Sequence, residues 1–165
     1  ELRKKIGHDL LWLNGVTGCV LNEHGQLLWA VVSDTGEWAM VYGINEPGEQ
    51  PADTVVREIK EETGIDAIVT DLVAVTSSNK VLTYANGDNT MYMDHSFLCA
   101  LKPGGNAEPF VGDEESLSVG WFDLDDLPTP LAASTSERLE LFHTYIETKK
   151  HGDAHALFQF DGQQY

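Results

Sequence analysis

The stretch from Gly43 to Ile65, GINEPGEQPADTVVREIKEETGI, carries start and stop signals that leave it one local fold. Pro51 suits the first turn of a helix, because the amide it lacks would have no helical partner there. Gln50 then falls at the cap, and Asp53 puts a negative charge in the first turn, where the helix dipole favours it. Gly64 is a natural C-terminal stop. Between these marks lies a helix of about three and a half turns. Ala52, Val55, Val56 and Ile59 recur at i, i+3, i+4 and i+7, which predicts one apolar face turned to a core.

Glu58, Glu61 and Glu62 fall on a neighbouring face, within an arc of roughly 100°. Like charges at that spacing work against the helix. A hard divalent cation with oxygen ligands relieves the repulsion, and Mg2+ characteristically combines one or two carboxylates with water and phosphate oxygens of a substrate. A run of glutamates is more often a solvated face than a ligand set, and Lys60 lies among these. Here Gly43, Glu49 and Arg57 stand at fixed offsets around the run, giving G-x5-E-x7-R-E-U-x-E-E-x-G-U with U a bulky aliphatic residue.

That pattern, filled at every fixed position, resembles the signature of the Nudix hydrolases. Trp38 lies where the family often carries an aromatic, and Gly120-Trp121-Phe122-Asp123-Leu124-Asp125-Asp126-Leu127-Pro128 looks like the strand and turn that close many of its domains. The resemblance covers roughly Val16 to Phe142. One departure is the run entering the box, Val41-Tyr42-Gly43-Ile44, where many relatives have Pro-Gly-Gly and only Gly43 is kept. The resemblance implies an αβα sandwich around a mixed sheet (α/β, α+β in connectivity). It also implies a pyrophosphohydrolase that splits a nucleoside diphosphate linked to another moiety, such as ADP-ribose, a dinucleoside polyphosphate or a (d)NTP. Glu58, Glu61, Glu62 and the backbone carbonyl of Gly43 would hold Mg2+, with Mn2+ as a substitute, and Arg57 paired with Glu49 would orient the carboxylates. The general base would be a box glutamate, Glu58 or Glu62, or a carboxylate of the acidic loop Asp113-Glu114-Glu115, with Glu115 and Glu114 preferred. Subfamily markers beyond the box are sparse. No Pro appears between Gly64 and Lys102, where ADP-ribose pyrophosphatases often carry one, and Tyr84 lies a little beyond the Tyr of dinucleoside polyphosphate hydrolases. Two alternatives stand beside this reading: a catalytically silent, nucleotide-binding regulatory domain, and an isoprenoid diphosphate isomerase. The second needs a cysteine facing the diphosphate, and Cys99 has no motif around it. Many relatives are dimers, so the resemblance allows a homodimer.

Composition limits the partners. The net charge is −17 and the sequence pI is near 4.4, a surface that repels polyanions. Nucleic acid polymers and anionic membranes are excluded as expected partners, because both need basic patches. A small phosphorylated substrate is compatible if cations neutralise the site locally. Cys19 and Cys99 sit in apolar runs and read as buried thiols. No run approaches a membrane span and no signal peptide is visible, so cytoplasmic residence is the default expectation.

The 165 residues fit one domain, residues 1–165 with a core over about 16–150. Strands are expected at Val16–Leu21, Leu27–Val32, Trp38–Tyr42, Ala67–Thr76, Val81–Tyr84, Met91–Leu101 and Leu117–Phe122, with hairpin turns at Asn22–Gly25 and Asn86–Asn89. The short Trp38–Tyr42 strand feeds a loop at Gly43. Ser134-x-x-Glu137 reads as a capping box for a second helix with the stripe Leu139, Phe142, Tyr145 and Ile146. Trp12, Trp29, Trp38, Tyr84 and Tyr92 are the aromatic residues available to stack on a base, although each is more often core packing.

Overall fold

The computed structural model describes residues 2–112 and 116–165. In chain order the elements are α1 (Leu2–Ile6), β1 (Leu11–Leu21), β2 (Leu27–Val32), β3 (Trp38–Ala39), β4 (Val41–Ile44), α2 (Pro51–Thr63) and β5 (Ala67–Ser77). They continue with β6 (Leu82–Thr83), β7 (Asn89–Leu101), β8 (Ser116–Phe122), α3 (Ala133–Lys150), β9 (Gln159–Phe160) and β10 (Gln163–Gln164). Among the described residues, β1 to β8 join in one mixed sheet with the central order β3-β2-β1-β7-β5. β1 and β7 run parallel, from Leu11 opposite Thr90 to Leu21 opposite Ala100. β4 pairs antiparallel with β1, placing Gly43 opposite Val16.

Alternation along the strands separates two cores, because successive side chains point to opposite faces. Val16 and Val20 of β1, Leu28 of β2 and Phe97 and Cys99 of β7 pack with Val55 and Ile59 of α2. Cys19, Leu27, Trp29 and Leu98 face the other way, onto Phe142 and Tyr145 of α3. The result is the αβα sandwich that the pattern predicted. α2 lies close on β1: a Cβ at Gly18 would come within 2.9 Å of Val55 Cγ2.

The ends of α2 follow the sequence. Pro51 opens it after Gln50, and Gly64 closes it in the left-handed conformation at φ 72°. Phe110 and Gly112 donate their amides to the carbonyls of Thr63 and Glu62, so the 103–112 loop seals the last turn of this helix.

Several boundaries differ from expectation by a residue or two, and three differences bear on the architecture. β1 begins at Leu11, because its parallel ladder with β7 continues beyond the apolar run. The Trp38–Tyr42 strand is two strands, and β4 runs through Gly43 to Ile44, so Gly43 belongs to the sheet. The Ser134/Glu137 box does not cap α3. The helix cap is Ala132, with no side-chain cap bond. The amide of Trp38 bonds to Pro130 O and that of Ala132 to Trp38 O, which fixes the chain before Ser134 can act as cap.

Candidate active site

α2 presents its polar flank to a cavity of about 740 Å³. The wall on this side contains Gly43, Ile44, Asn45 and Glu46 with Arg57, Glu58 and Glu61. Gly43 is required by proximity: a Cβ there would lie 2.2 Å from Glu58 Cγ and 2.7 Å from its Oε1. The Glu58 side chain therefore crosses directly over the backbone of β4, beside the peptide group of Gly43.

Arg57 organises the carboxylates. Its Nε donates to Glu49 Oε1 at 2.8 Å and its Nη2 to Glu49 Oε2 at 3.0 Å, a bidentate pair. Its Nη1 donates to Glu58 Oε1 at 2.9 Å and to Glu61 Oε2 at 3.0 Å. The hydrogen bonds from Arg57, joined by one from Thr54, hold the Glu49 carboxyl down at about 2. Thr54 is fully buried; its hydroxyl donates to Glu49 Oε2 at 2.8 Å and accepts from Asn45 Nδ2 at 2.7 Å. A relay thus runs from Asn45 through Thr54, Glu49 and Arg57 to the two box glutamates. Lys60 takes no part in it, bonding instead to Gly64 O and Asp66.

Glu58 is mostly covered, Glu61 half-exposed and Glu62 of intermediate exposure. Among the described residues no three acidic, His or Cys side chains converge tightly enough to form a cation cage. The donors nevertheless fit Mg2+ in kind. They are all oxygens, and Mg2+ is held through one or two carboxylates and substrate phosphates rather than by an all-protein cage. Asp113, Glu114 and Glu115 lie outside the described residues; the chain reaches them from Gly112, hydrogen-bonded at the C-terminal end of α2.

The far wall was not legible in the sequence. Asp94 of β7 is nearly buried, accepting from Thr17 Oγ1 at 2.8 and 3.0 Å and from Ser96 Oγ at 2.8 Å. Arg138 of α3 approaches it with Nε at 3.4 Å and lies 4.9 Å over the Tyr42 ring. Tyr42 in turn shares a 2.6 Å hydrogen bond with the buried Thr135. The only advance signal was an Asp interrupting an apolar strand. Of the aromatic candidates, Tyr84 and Tyr92 line this cavity and join hydroxyl to hydroxyl at 2.7 Å. Trp29 is buried in the α3-side core and Trp38 packs edge-on against Phe122. Trp12 borders a separate groove with Met93 and His95.

The NUDIX domain model matches residues 12–143. The chain therefore belongs to the Nudix hydrolase family, as its box, sandwich and acidic helix face together define. It is 34% identical over 117 residues to human nucleoside diphosphate-linked moiety X motif 6, covering 68% of this chain and 35% of that protein. A MutT-like protein of Streptomyces ambofaciens is 32% identical, covering 75% of this chain and 72% of that protein. The chain spans only about a third of the length of the mammalian relatives, 35% in both human and mouse. Among solved structures, a MutT Nudix hydrolase from Burkholderia pseudomallei superposes with a TM-score of 0.61 at 26% identity, over 79% of this chain and 98% of that one. A UDP-X diphosphatase shares the fold with a TM-score of 0.65 at 24% identity, over 92% and 68% of the two chains. Among the described residues no helix is long and apolar enough to cross a membrane.

Proposed function

We propose that this protein is a Mg2+-dependent pyrophosphohydrolase that cleaves a nucleoside diphosphate linked to a second moiety. The observation that carries the reading is Arg57, clamped by Glu49 and reaching Glu58 and Glu61 at the lip of a nucleotide-sized cavity. The names of the relatives agree with it: a nucleoside diphosphate-linked moiety X motif protein and a UDP-X diphosphatase.

Glu58, Glu61, Glu62 and the Gly43 carbonyl are the residues that would hold the metal. When bound, a divalent cation supplies charge neutralisation at phosphate oxygens and a lowered pKa for the attacking water. Arg57 fixes where the Glu58 and Glu61 carboxylates point. Water oxygen forms a bond to one phosphorus as the bridging P–O bond breaks, and the electron pair leaves with the second phosphate. Glu58 or Glu62 accepts the proton of the water, with Glu114 and Glu115 the alternatives. Cys19 and Cys99 are both buried in the cores, and burial pushes the Cys99 thiol up to about 12. Neither lines the cavity, so the isomerase chemistry has no cysteine to work with there.

The test is turnover with Mg2+ on ADP-ribose, dinucleoside polyphosphates, NADH, nucleotide sugars and dNTPs, with Glu62→Gln as control. We expect Glu62→Gln to lower kcat by about a hundredfold or more, some 2.7 kcal/mol in barrier. Near-normal turnover in that variant removes the metal role. Nucleotide binding without any turnover by the natural chain assigns it to the regulatory class instead. Glu114→Gln and Glu115→Gln, assayed separately, identify the base: if neither slows the reaction more than about threefold, the base lies in the box.

A further inference from the structure

The cavity continues past the glutamates to the other side of β4. Gly43 faces α2, where its missing Cβ makes room for Glu58, whereas the adjacent Tyr42 faces α3 and bonds to Thr135. The two ends differ in charge. On the α2 side Glu46, Glu58 and Glu61 stand against Arg57 alone, an excess suited to cations. On the α3 side Asp94 and Arg138 offset each other at 3.4 Å, and the wall also carries Tyr42, Tyr84, Tyr92, Leu82 and Ser134.

A second phosphate gains little in that compartment, because Asp94 already neutralises the one cation. A planar, uncharged aromatic ring gains apolar and stacking contact. Arg138 adds directionality. Its Nε faces Asp94, its Nη1 donates to Ser134 O at 3.2 Å, and its Cζ lies 4.9 Å over the Tyr42 ring, so among the described residues Nη2 is left to donate to a ligand. A guanidinium fixed in this way pairs with the acceptors on a base edge. Burial, and after it the Tyr84 hydroxyl, push the Tyr92 hydroxyl up, so Tyr92 enters the compartment as a neutral hydroxyl near neutral pH.

We propose that this compartment seats the nucleobase of the substrate, stacked on Tyr84 and Tyr92, with Arg138 donating to an acceptor on its edge. The proposal rests on the reading that the diphosphate lies at Glu58 and Glu61. It makes Tyr84 and Arg138 the specificity-determining residues and Asp94 the residue that positions Arg138.

Equilibrium binding separates this proposal from hydrolysis. α,β-Methylene-ADP and methylenediphosphonate share a non-cleavable P–C–P unit, and only the first carries a base. Calorimetric titration with Mg2+ is expected to show the natural chain preferring the nucleotide. Tyr84→Leu, a half-exposed position on the β6–β7 hairpin that leaves the Asp94–Arg138 pair in place, should cut that preference by about tenfold. Arg138→Gln should cut it as well. Equal affinity of the natural chain for both ligands, an unchanged preference in both variants, or a parallel loss of both ligands overturns the assignment. A chain that prefers the nucleotide in this assay but hydrolyses none of the panel sinks the pyrophosphohydrolase reading and leaves the base compartment standing.

Discussion

Glu49 never reaches the cavity wall, yet the site depends on it. Its carboxylate accepts two hydrogen bonds from Arg57, one from Thr54 and one from the Glu46 amide at 3.2 Å. The sequence pattern exposed the Glu49–Arg57 partnership because both sit at fixed offsets in one short stretch. It did not expose Thr54, which reads as an unremarked position between Asp53 and Val55. Thr54→Val should leave Glu49 and Asn45 short of a partner, destabilising the fold by about 1–3 kcal/mol and lowering kcat because Arg57 loses its fixed anchor. Thr54→Ser should restore both, measured by urea midpoint and turnover. The depressed Glu49 carboxyl makes a pH prediction. Its ordinary value is 4.5 and its folded value about 2. The stability it contributes is therefore present above about 4.5 and is lost as pH falls through about 2. The gap in urea midpoint between the natural chain and Glu49→Gln should be full at neutral pH and shrink steadily below pH 4.5; a gap independent of pH would show the carboxylate charge to be irrelevant.

The helices differ in how far their ends could be read. α2 is defined by local chemistry, so Pro51, Asp53 and Gly64 located it. α3 is defined by its neighbours: two backbone hydrogen bonds with Trp38 and Pro130 place its start at Ala132, two residues ahead of the Ser134 box. The apolar stripe follows the helical period, and Phe142 and Tyr145 are buried as it requires. The start leaves no local trace, because the deciding contacts come from a strand about a hundred residues earlier in the chain. An uncapped start leaves room for improvement. Ala132→Ser supplies the missing side-chain acceptor and should raise stability by about 0.5–1 kcal/mol, read from thermal or urea unfolding. No gain would mean that the backbone bonds to Trp38 already set the geometry of the first turn.

At the scale of the whole molecule, the acidic box end of the cavity was legible and the Asp94–Arg138 end was not. The first is contiguous in sequence, while the second joins residues 44 positions apart, one on β7 and the other on α3. The mixed sheet was expected, but its parallel β1–β7 ladder leaves no local trace. The net charge of −17 acts on the entire fold. Self-repulsion weakens a compact state, and salt shortens its reach from about 30 Å at 10 mM to about 8 Å at 150 mM. Tm should therefore rise by a few degrees over that range in scanning calorimetry, without added divalent metal. A flat or falling Tm would mean that the pairs of Arg57 and Lys149 outweigh the general repulsion.

The parallel ladder also bears on how the molecule comes into being. Leu11 meets Thr90 and Leu21 meets Ala100, so the central strand pair cannot form until a chain segment containing β2, β4 and all of α2 has looped back on itself. Closing so long a loop is entropically slow compared with winding a helix. The acidic turn of α2 can thus exist before there is a cleft for it to line. Asp94 can receive Thr17 only when the ladder closes, and both walls of the cleft then appear in a single late event of folding.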